Sequence, residues 1–370
     1  MVLIIILLCA VGFIWLQSLL FRKKWNQGLS VTLSVKNTEC VTGENNVLTE
    51  VITNNKWLPL PLLHVKFNTP KSFIFENEEN SSVTDYYYRD DIFAIMGHQI
   101  VTRHLKFNCS KRGCYLLNDT SVTSTDLFMQ SILTDKMHNQ VLIHVYPKKI
   151  DISFFEIPFQ TITGNCATQK TLIEDPFEFR GIREYQPYDS MRSINWKSSA
   201  KNNQLMVNTF FMTSSQNVHL LLNLDSHTYM RNERLMESII SLASSLAEKF
   251  ISMGIPVSLE SNAIDGFTKE RLKCPSGQGV PHMVCIDTAL ARIDTKAENA
   301  DFLKLMKQEL DCMDDNAYYI VISHNRHDEL VDYYRQIEDH GATSYFIVPE
   351  LKEVPLEIEV PGLVKWEIDY

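Results

Sequence analysis

The feature that most constrains this chain is a long uncharged segment at its start, which runs from Val2 to Phe21 and is interrupted only by Gln17 and Ser18. A helix rises about 1.5 Å per residue, so a segment of this length reaches across the roughly 30 Å hydrocarbon core of a bilayer. A cleaved signal peptide would carry basic residues before the apolar run and a small-residue cleavage site after it. Here the basic residues, 22–24, follow the run, which predicts an uncleaved transmembrane anchor.

The basic residues also predict the orientation of the chain. Positively charged flanks remain on the cytoplasmic side of a membrane, so Arg22, Lys23 and Lys24 place the bulk of the chain in the cytoplasm. We therefore expect a single-pass protein of the cell membrane with a short external N-terminus.

The cysteines agree with a cytoplasmic body. Of the eight cysteines only Cys9 falls in the anchor, so seven lie beyond it. An odd number cannot all pair within one chain, which favours a reducing compartment. Cys109 and Cys114 flank the turn 110–113 and leave open a disulfide across a hairpin. We interpret them as half-buried strand residues.

Length and composition allow two globular domains behind the anchor and exclude one class of partner. The chain has 370 residues, 45% of them hydrophobic, which is enough for two ordinary cores. Its net charge is −10 and it has no long basic stripe. Proteins bind nucleic acid through positively charged surfaces, so nucleic acid is not expected as a partner.

Residues 25–150 have the pattern of β-strands. Leu29 to Val35 and Val47 to Thr53 alternate apolar and polar residues, as half-buried strands do. The prolines of the run 58–61 must interrupt a ladder, because proline cannot donate a backbone hydrogen bond. Short strands separated by turn signals predict an antiparallel β-sandwich-like domain.

The hydrophobic period changes from about residue 216 onward. Residues 218–224 form a near-continuous apolar run, which is typical of a strand buried on both faces. Further apolar strands alternate with helical patterns along the rest of the chain, at 233–253, 255–259, 282–297, 300–313, 318–322, 328–339 and 344–348. This alternation predicts an α/β, doubly wound and mostly parallel sheet. The predicted organisation is an anchor at 1–24, a β-sandwich-like domain at 25–150, a connecting segment at 151–215 and an α/β domain at 216–370.

The connecting segment carries the most specific sequence in the chain. Acidic and basic residues are balanced there, which favours ion pairs over a patch of one sign. We single out Arg183, Tyr185, Asp189, Arg192, Trp196 and Lys197. Trp196 is a large apolar side chain that could anchor the segment. A flexible linker would be rich in Gly and Ser, so we predict a brace that packs against the α/β domain.

The same segment closely resembles the signature of a bacterial family, domain of unknown function fifty-eight. That signature reads approximately Arg-x-Tyr-x-x-Gly-Asp, Arg-x-Ile-Asp-Trp-Lys, Ser-Ala-Arg and Leu-x-Val. The matching residues are Arg183, Tyr185, Asp189, Arg192, Ile194, Trp196, Lys197, Ser199, Ala200, Leu205 and Val207. Three positions depart from it, with Tyr188 in place of Gly, Asn195 in place of Asp and Lys201 in place of Arg.

The resemblance carries several expectations about the whole protein. It implies a membrane anchor, a β-sandwich-like region and a C-terminal von Willebrand factor A-like domain. Genes of the family often neighbour MoxR-type AAA+ ATPases and transglutaminase-like membrane proteins. The family has no established enzymatic activity.

A metal site is not expected, although its usual position can be identified. A von Willebrand A domain binds Mg²⁺ through an Asp-x-Ser-x-Ser loop after its first strand, where oxygen ligands converge. The corresponding residues here are Asp225, Ser226, His227, Thr228 and Tyr229, so both serine positions are replaced. The chain also has no Walker A run and no Gly-x-Ser-x-Gly elbow. We therefore expect no cofactor.

Two functional hypotheses follow. The first is a non-enzymatic, membrane-anchored interaction protein that docks a protein partner, with a MoxR-type ATPase suggested by the family resemblance. The second is an uncharacterised enzyme that acts on envelope material, with a site in the polar segment 180–201. Its candidate residues would be Arg183, Tyr185, Asp189 and Lys197.

Overall fold

The computed structural model of the protein describes residues 2–76, 81–83, 86–169, 174–186, 191–212, 217–225, 232–314, 317–325, 327–351 and 360–368. The chain divides into two compact units, Met1–Lys148 and Lys149–Tyr370.

The N-terminal unit consists of one long apolar helix followed by strands. The helix is α1 (Val2–Lys24), and it is long and apolar enough to cross a membrane. The strands are β1 (Leu29–Val35), β2 (Glu39–Val41), β3 (Asn45–Asn54), β4 (Leu60–Pro70), β5 (Phe73–Phe75), β6 (Ser81–Val83), β7 (Tyr86–Ile95), β8 (Gln99–Cys109), β9 (Gly113–Leu117), β10 (Thr120–Thr125), β11 (Ile132–Met137) and β12 (Val141–Tyr146).

These strands form three sheets with shared cores. The sheet orders are β1-β3-β8-β5, β11-β10-β4-β7-β6 and β2-β12-β9. Among the described residues of this unit, β2 and β12 pair in parallel, and the other strand pairs are antiparallel. The predicted alternation is confirmed at β1, where alternate residues are buried. The predicted interruption near the prolines is confirmed too, because β4 begins at Leu60 and its pairing with β7 shifts register before Leu63.

The end of α1 belongs to the core of this unit. Phe21 and Trp25 are 1% and 5% exposed, and they cluster with Leu29 of β1 and Ile52 of β3. The backbone turns just beyond the helix, where Gly28 has a φ of +67°. The helix and the sheets are therefore packed together rather than joined by a free linker.

Cys109 and Cys114 are strand residues with free thiols, as interpreted from the sequence, although Cys109 is fully buried rather than half-buried, and the alternative disulfide between them is not formed. Cys109 ends β8 and Cys114 lies in β9, and the two strands belong to different sheets. The Cys109 Sγ lies 3.3 Å from the Sγ of Cys40 in the core, whereas the Cys114 Sγ lies 3.1 Å from Nδ1 of His144.

The C-terminal unit alternates helices and strands. Its helices are α2 (Glu156–Gln169), α3 (Trp196–Asn202), α4 (Glu233–Ser252), α5 (Val280–Arg292), α6 (Phe302–Asp311) and α7 (Asp328–Asp339). Its strands are β13 (Glu174–Glu184), β14 (Met206–Met212), β15 (Val218–Asn223), β16 (Val257–Ile264), β17 (Arg271–Gly277), β18 (Tyr318–Ser323), β19 (Thr343–Leu351) and β20 (Leu363–Ile368).

The main sheet of this unit has the order β17-β16-β15-β18-β19-β20, and β17 is antiparallel to its neighbour while the other pairs are parallel. Helices cover both faces. Leu220 and Leu222 of β15 pack in the core that contains α4 and α5, and Leu221 packs in the core that contains α6 and α7. Burial on both faces explains the continuous apolar run, and the mostly parallel sheet confirms the predicted alternation.

Four elements differ from the sequence-based expectations. β17 lies between the predicted elements 255–259 and 282–297, where no strand was predicted, and it pairs with β16 at the antiparallel edge of the sheet. α2 and β20 were not predicted. Residues 174–184 lie in the connecting segment, for which no strand was predicted, and they form β13, which pairs with β14.

Candidate functional site

The family signature folds into a small element of its own. β13 pairs with β14 in antiparallel fashion, with Arg183 opposite Val207 and Glu184 opposite Met206. α3 lies between the two strands in sequence and contacts β14. The backbone N–H of Tyr185 donates to the carbonyl of Leu205 at 2.8 Å and extends the pairing by one residue. We call this β13–α3–β14 unit the signature element.

Two polar signature positions hold the element together. The Asn195 side chain caps α3 by accepting a hydrogen bond from the Ser198 N–H at 3.0 Å, and its Nδ2 donates to Oδ1 of Asn208 at 2.8 Å. The Ser199 hydroxyl donates to the Asn195 carbonyl at 2.8 Å and accepts from the Met206 N–H at 2.8 Å. Asn and Asp are about equally good N-caps, so the replacement of the family's Asp by Asn195 preserves the cap.

Trp196 does not anchor the segment, and this expectation is corrected. Its side chain is 64% exposed at the first position of α3. The contacts between α3 and β14 run through the small Ser199 and the backbone, so the element closes without the indole. The same element exposes further apolar side chains, namely Ile182, Met191 and Leu205.

The other candidate residues are only partly brought together. Arg183 and Tyr185 are half-buried, and Nη1 of Arg183 donates to the carbonyl of Glu184 at 3.1 Å. Lys197 is exposed beside Trp196. Asp189 lies outside the described residues, as does the side chain of Arg192. Whether these residues act together therefore stays a prediction.

A second candidate region lies at the carboxyl edge of the main sheet. A cavity of about 440 Å³ opens there, and its lining includes Asn223, Asp225, Asp301, Asn325 and Asp328. Asn223 ends β15, and Asn325 follows β18. The order of the strands reverses between β15 and β18, and open α/β sheets bind their ligands at such a point. We call this cavity the sheet-edge crevice.

Buried amides form the floor of the crevice. Asn223 is 1% exposed, and its Nδ2 donates to Oγ of Ser323 at 3.0 Å. Its Oδ1 accepts from Nδ2 of Asn262 at 3.1 Å and from the Asp225 N–H at 2.9 Å. These residues were not identified from the sequence. The available signal was polar side chains at the ends of strands that are otherwise apolar.

The crevice offers a divalent cation few ligands. Oδ1 of Asp225 accepts a hydrogen bond from Nδ2 of Asn299 at 3.2 Å. Ser226 and His227, the next positions of the degenerate loop, lie outside the described residues. Within the described ranges no group of three or more His, Cys, Asp or Glu side chains could hold a metal ion. The Asp225 carboxylate is already bound to an amide, and within the described residues the lining carboxylates of Asp301 and Asp328 do not form a metal-binding group with it. Hard cations need several converging oxygen ligands, so the crevice fits Mg²⁺ poorly.

Solved structures offer only distant similarity. A non-cellulosomal cohesin from Archaeoglobus fulgidus shares 13% identity, with 30% of this chain and 90% of that chain covered and a TM-score of 0.21. The seventh ScaB type I cohesin from Pseudobacteroides cellulosolvens shares 10% identity, with 31% and 92% covered and a TM-score of 0.21. The sporulation control protein Spo0M from Bacillus subtilis shares 10% identity, with 43% and 58% covered and a TM-score of 0.20. Similarity at this level carries no argument about function.

The family comparison covers the C-terminal unit from the end of β13 to the residues just before β20. No curated protein matches this chain. Residues 181–361 match the model of a family described as "Protein of unknown function DUF58", which supports placing the chain in the DUF58 family.

Proposed function

We propose that this chain is a non-enzymatic docking protein held at the cell membrane. The observation that carries the proposal is the 64% exposure of Trp196 within the signature element. Tryptophan is among the residue types most enriched at the centres of protein–protein interfaces. The polar side chains of Asn195 and Ser199 form hydrogen bonds within the element that hold it together. The arrangement therefore supports a surface for a partner.

The anchor supplies the location in this proposal. α1 is uncharged from its start to Phe21 and ends in Arg22, Lys23 and Lys24. These basic residues favour a cytoplasmic body by the positive-inside rule. A partner that docks on the signature element would therefore be a cytoplasmic protein recruited to the inner face of the cell membrane.

The topology of the main sheet supports a von Willebrand A-like C-terminal unit. Counted within the main sheet, the strand order is 3-2-1-4-5-6 from β17 to β20, which is a doubly wound arrangement. Asp225 follows the first of these strands, the position at which a von Willebrand A domain carries its metal loop. The loop has lost both serines, so the proposed role of the unit is adhesive and independent of metal.

The partner class is proposed from the family resemblance. MoxR-type AAA+ ATPases are encoded beside many members of the family, so we propose such an ATPase as the protein that docks here, in a cell-envelope process. This step rests on association rather than on contacts in the structure.

The test is a binding measurement on the full chain purified in detergent, with the MoxR-type ATPase of the same cell as the probe. Trp196→Ala should weaken the complex by about 30-fold or more, the effect of losing roughly 2 kcal/mol at a hot spot. Met253→Ala is the matched control, because Met253 is a 55% exposed apolar residue of the same unit outside the signature element. It should bind like the wild type.

Other outcomes contradict the proposal in distinct ways. Equal binding by both variants would remove the signature element as the docking surface, and the lack of any complex would remove this partner class. Turnover of envelope fragments that Tyr185→Phe abolishes, with the melting temperature unchanged, would favour the enzyme hypothesis instead.

A further inference from the structure

The loop between β10 and β11, residues 126–131, has an apolar tip. Leu127, Phe128 and Met129 are 46%, 50% and 65% exposed, and Ile132, the first residue of β11, is 77% exposed. Single exposed apolar residues are ordinary on a protein surface, but a contiguous group of them marks a contact with something apolar.

The loop is bonded to the last turns of α1. Nε2 of Gln17 donates to Oδ2 of Asp126 at 3.2 Å, and the hydroxyls of Ser18 and Ser131 lie 3.2 Å apart. Nη2 of Arg22 donates to Oγ of Ser131 at 3.4 Å. Gln17 is 6% exposed and Asp126 is fully buried. The loop therefore lies at the same height along the helix axis as residues 17–22.

That height can be compared with the apolar run of the anchor. Gln17 and Ser18 precede Phe21, the last residue of the uncharged run, by four and three residues, or about 5–6 Å of helix rise. A bilayer whose hydrocarbon core matches the run would end near Phe21. The loop is consequently held at the boundary between the acyl chains and the headgroups.

The backbone of the loop is suited to this place. Oδ1 of Asp126 accepts hydrogen bonds from the N–H groups of Gln130, at 2.7 Å, and Ser131, at 3.4 Å. The Asp126 carbonyl accepts from the Met129 N–H at 3.0 Å. Polar backbone groups near a bilayer core must be satisfied internally. The loop can therefore turn apolar side chains outward without exposing these amides to lipid.

We propose that residues 127–129 form a second membrane contact, which inserts into the lipid interface of the leaflet beside the anchor. The occupant of this surface is the bilayer that holds α1, because the hydrogen bonds to Gln17 and Ser18 fix the loop at that depth. The exposed Arg22, Lys23 and Lys24 lie at the same boundary and suit anionic headgroups. This inference rests on the proposed membrane anchoring.

The test uses the full chain reconstituted in vesicles of equimolar phosphatidylcholine and phosphatidylglycerol. A photo-reactive benzoylphenylalanine replaces Phe128 in one variant and Leu127 in a second, and lipid adducts are detected by mass spectrometry after illumination. Ile74 is the matched control position, because it is 53% exposed in the same unit. Ile74 pairs with Asn108 of β8. The opposite end of β8, Gln99, is nine residues or about 30 Å away, and it pairs with Asn54, which in turn pairs with Leu29 just after the anchor. Leu8, within α1, reports on insertion of the anchor.

Lipid adducts at positions 8, 127 and 128 and none above background at position 74 are expected. Adducts at position 8 without adducts at either loop position would overturn the second contact and leave the anchor standing. No adducts at position 8 would overturn the membrane anchoring itself. Cross-links from position 128 to another polypeptide, in place of lipid, would show that the loop is a protein-binding surface and would also overturn the inference.

Discussion

Glu50 lies directly opposite Arg103 in the register of β3 and β8, yet neither carboxylate oxygen of Glu50 has a hydrogen-bond partner among the described residues. The Asp91 carboxylate forms ion pairs with the two nearby guanidiniums, with Nη1 of Arg103 at 2.7 Å and Nε of Arg89 at 3.3 Å. Glu50 is fully buried. Burial, followed by the charge of Asp91, raises the pKa of Glu50 from 4.5 to about 8.

This raised pKa predicts a loss of stability as the pH increases. The folded state retains a proton that the unfolded chain releases above pH 4.5, so the contribution is fully present below pH 4.5 and is lost as the pH rises toward 8. Glu50→Gln removes the ionisation and should stabilise the protein at pH 8 by about 2–4 kcal/mol, with little effect at pH 4.5. Denaturant unfolding at both pH values measures the difference. Glu39→Gln is the control substitution at an exposed position, and it should change the free energy of unfolding little. Equal effects of Glu50→Gln at both pH values would mean that Glu50 titrates normally.

The signature element predicts opposite outcomes for two adjacent residues. Asn195→Ala removes the α3 cap and the bond to Asn208, so it should lower the free energy of unfolding by about 1–2 kcal/mol. Trp196→Ala should change it by less than about 0.5 kcal/mol, because the indole is largely exposed. Asn195→Asp is the matched control, since it restores the family residue and keeps the cap. A large loss of stability in Trp196→Ala would show that the ring is buried in solution.

Divalent cations should leave stability unchanged. A ligand at 100 times its dissociation constant stabilises the folded state by about 2.7 kcal/mol, which would raise the melting temperature visibly. The sheet-edge crevice presents Asp225 already bound to Asn299, so millimolar Mg²⁺ and Mn²⁺ should produce no rise over chelator alone. A steady rise that disappears in Asp225→Ala would show instead that the degenerate loop still binds metal.

The predicted orientation can be tested with the thiols of the N-terminal unit. Cys40 and Cys109 are buried 3.3 Å apart, so an oxidising compartment would readily join them, whereas the cytoplasm keeps thiols reduced. When native membranes are denatured without reductant in the presence of a thiol-alkylating reagent, both thiols should be alkylated. Protease added to intact spheroplasts should leave the body undigested, and the same protease after lysis should cut it. A disulfide-linked pair of peptides, together with digestion from outside, would reverse the orientation.

Local pattern was sufficient for several of the regular elements. Residues predicted as strand from alternation coincide with β1, and the helical spacing of 233–253 corresponds to α4 (Glu233–Ser252). The run 218–224 was interpretable because burial on both faces leaves few polar positions. Each of these patterns is set within one element, which is why the sequence alone reveals it.

The site depended on partners far away in the chain. The polar side chain of Asn223 can be buried because Asn262 and Ser323 form hydrogen bonds with it. No short sequence pattern reveals partners so distant in the chain. The same holds for Trp196, whose size suggested burial while the packing of α3 on β14 uses Ser199. β13 resembled a charged loop because the strand that pairs with it lies more than twenty residues later.

The packing of Phe21 and Trp25 into the N-terminal core has a consequence for biosynthesis. Under the proposed membrane anchoring, α1 would pass through the insertion machinery, where those two rings are not free to join Leu29 and Ile52. The β-strands would then wait for lateral release of the helix before their core closes, and membrane insertion would time the folding of this unit. A fragment begun at Leu29 would lack both rings and would carry a gap that its own strands cannot fill.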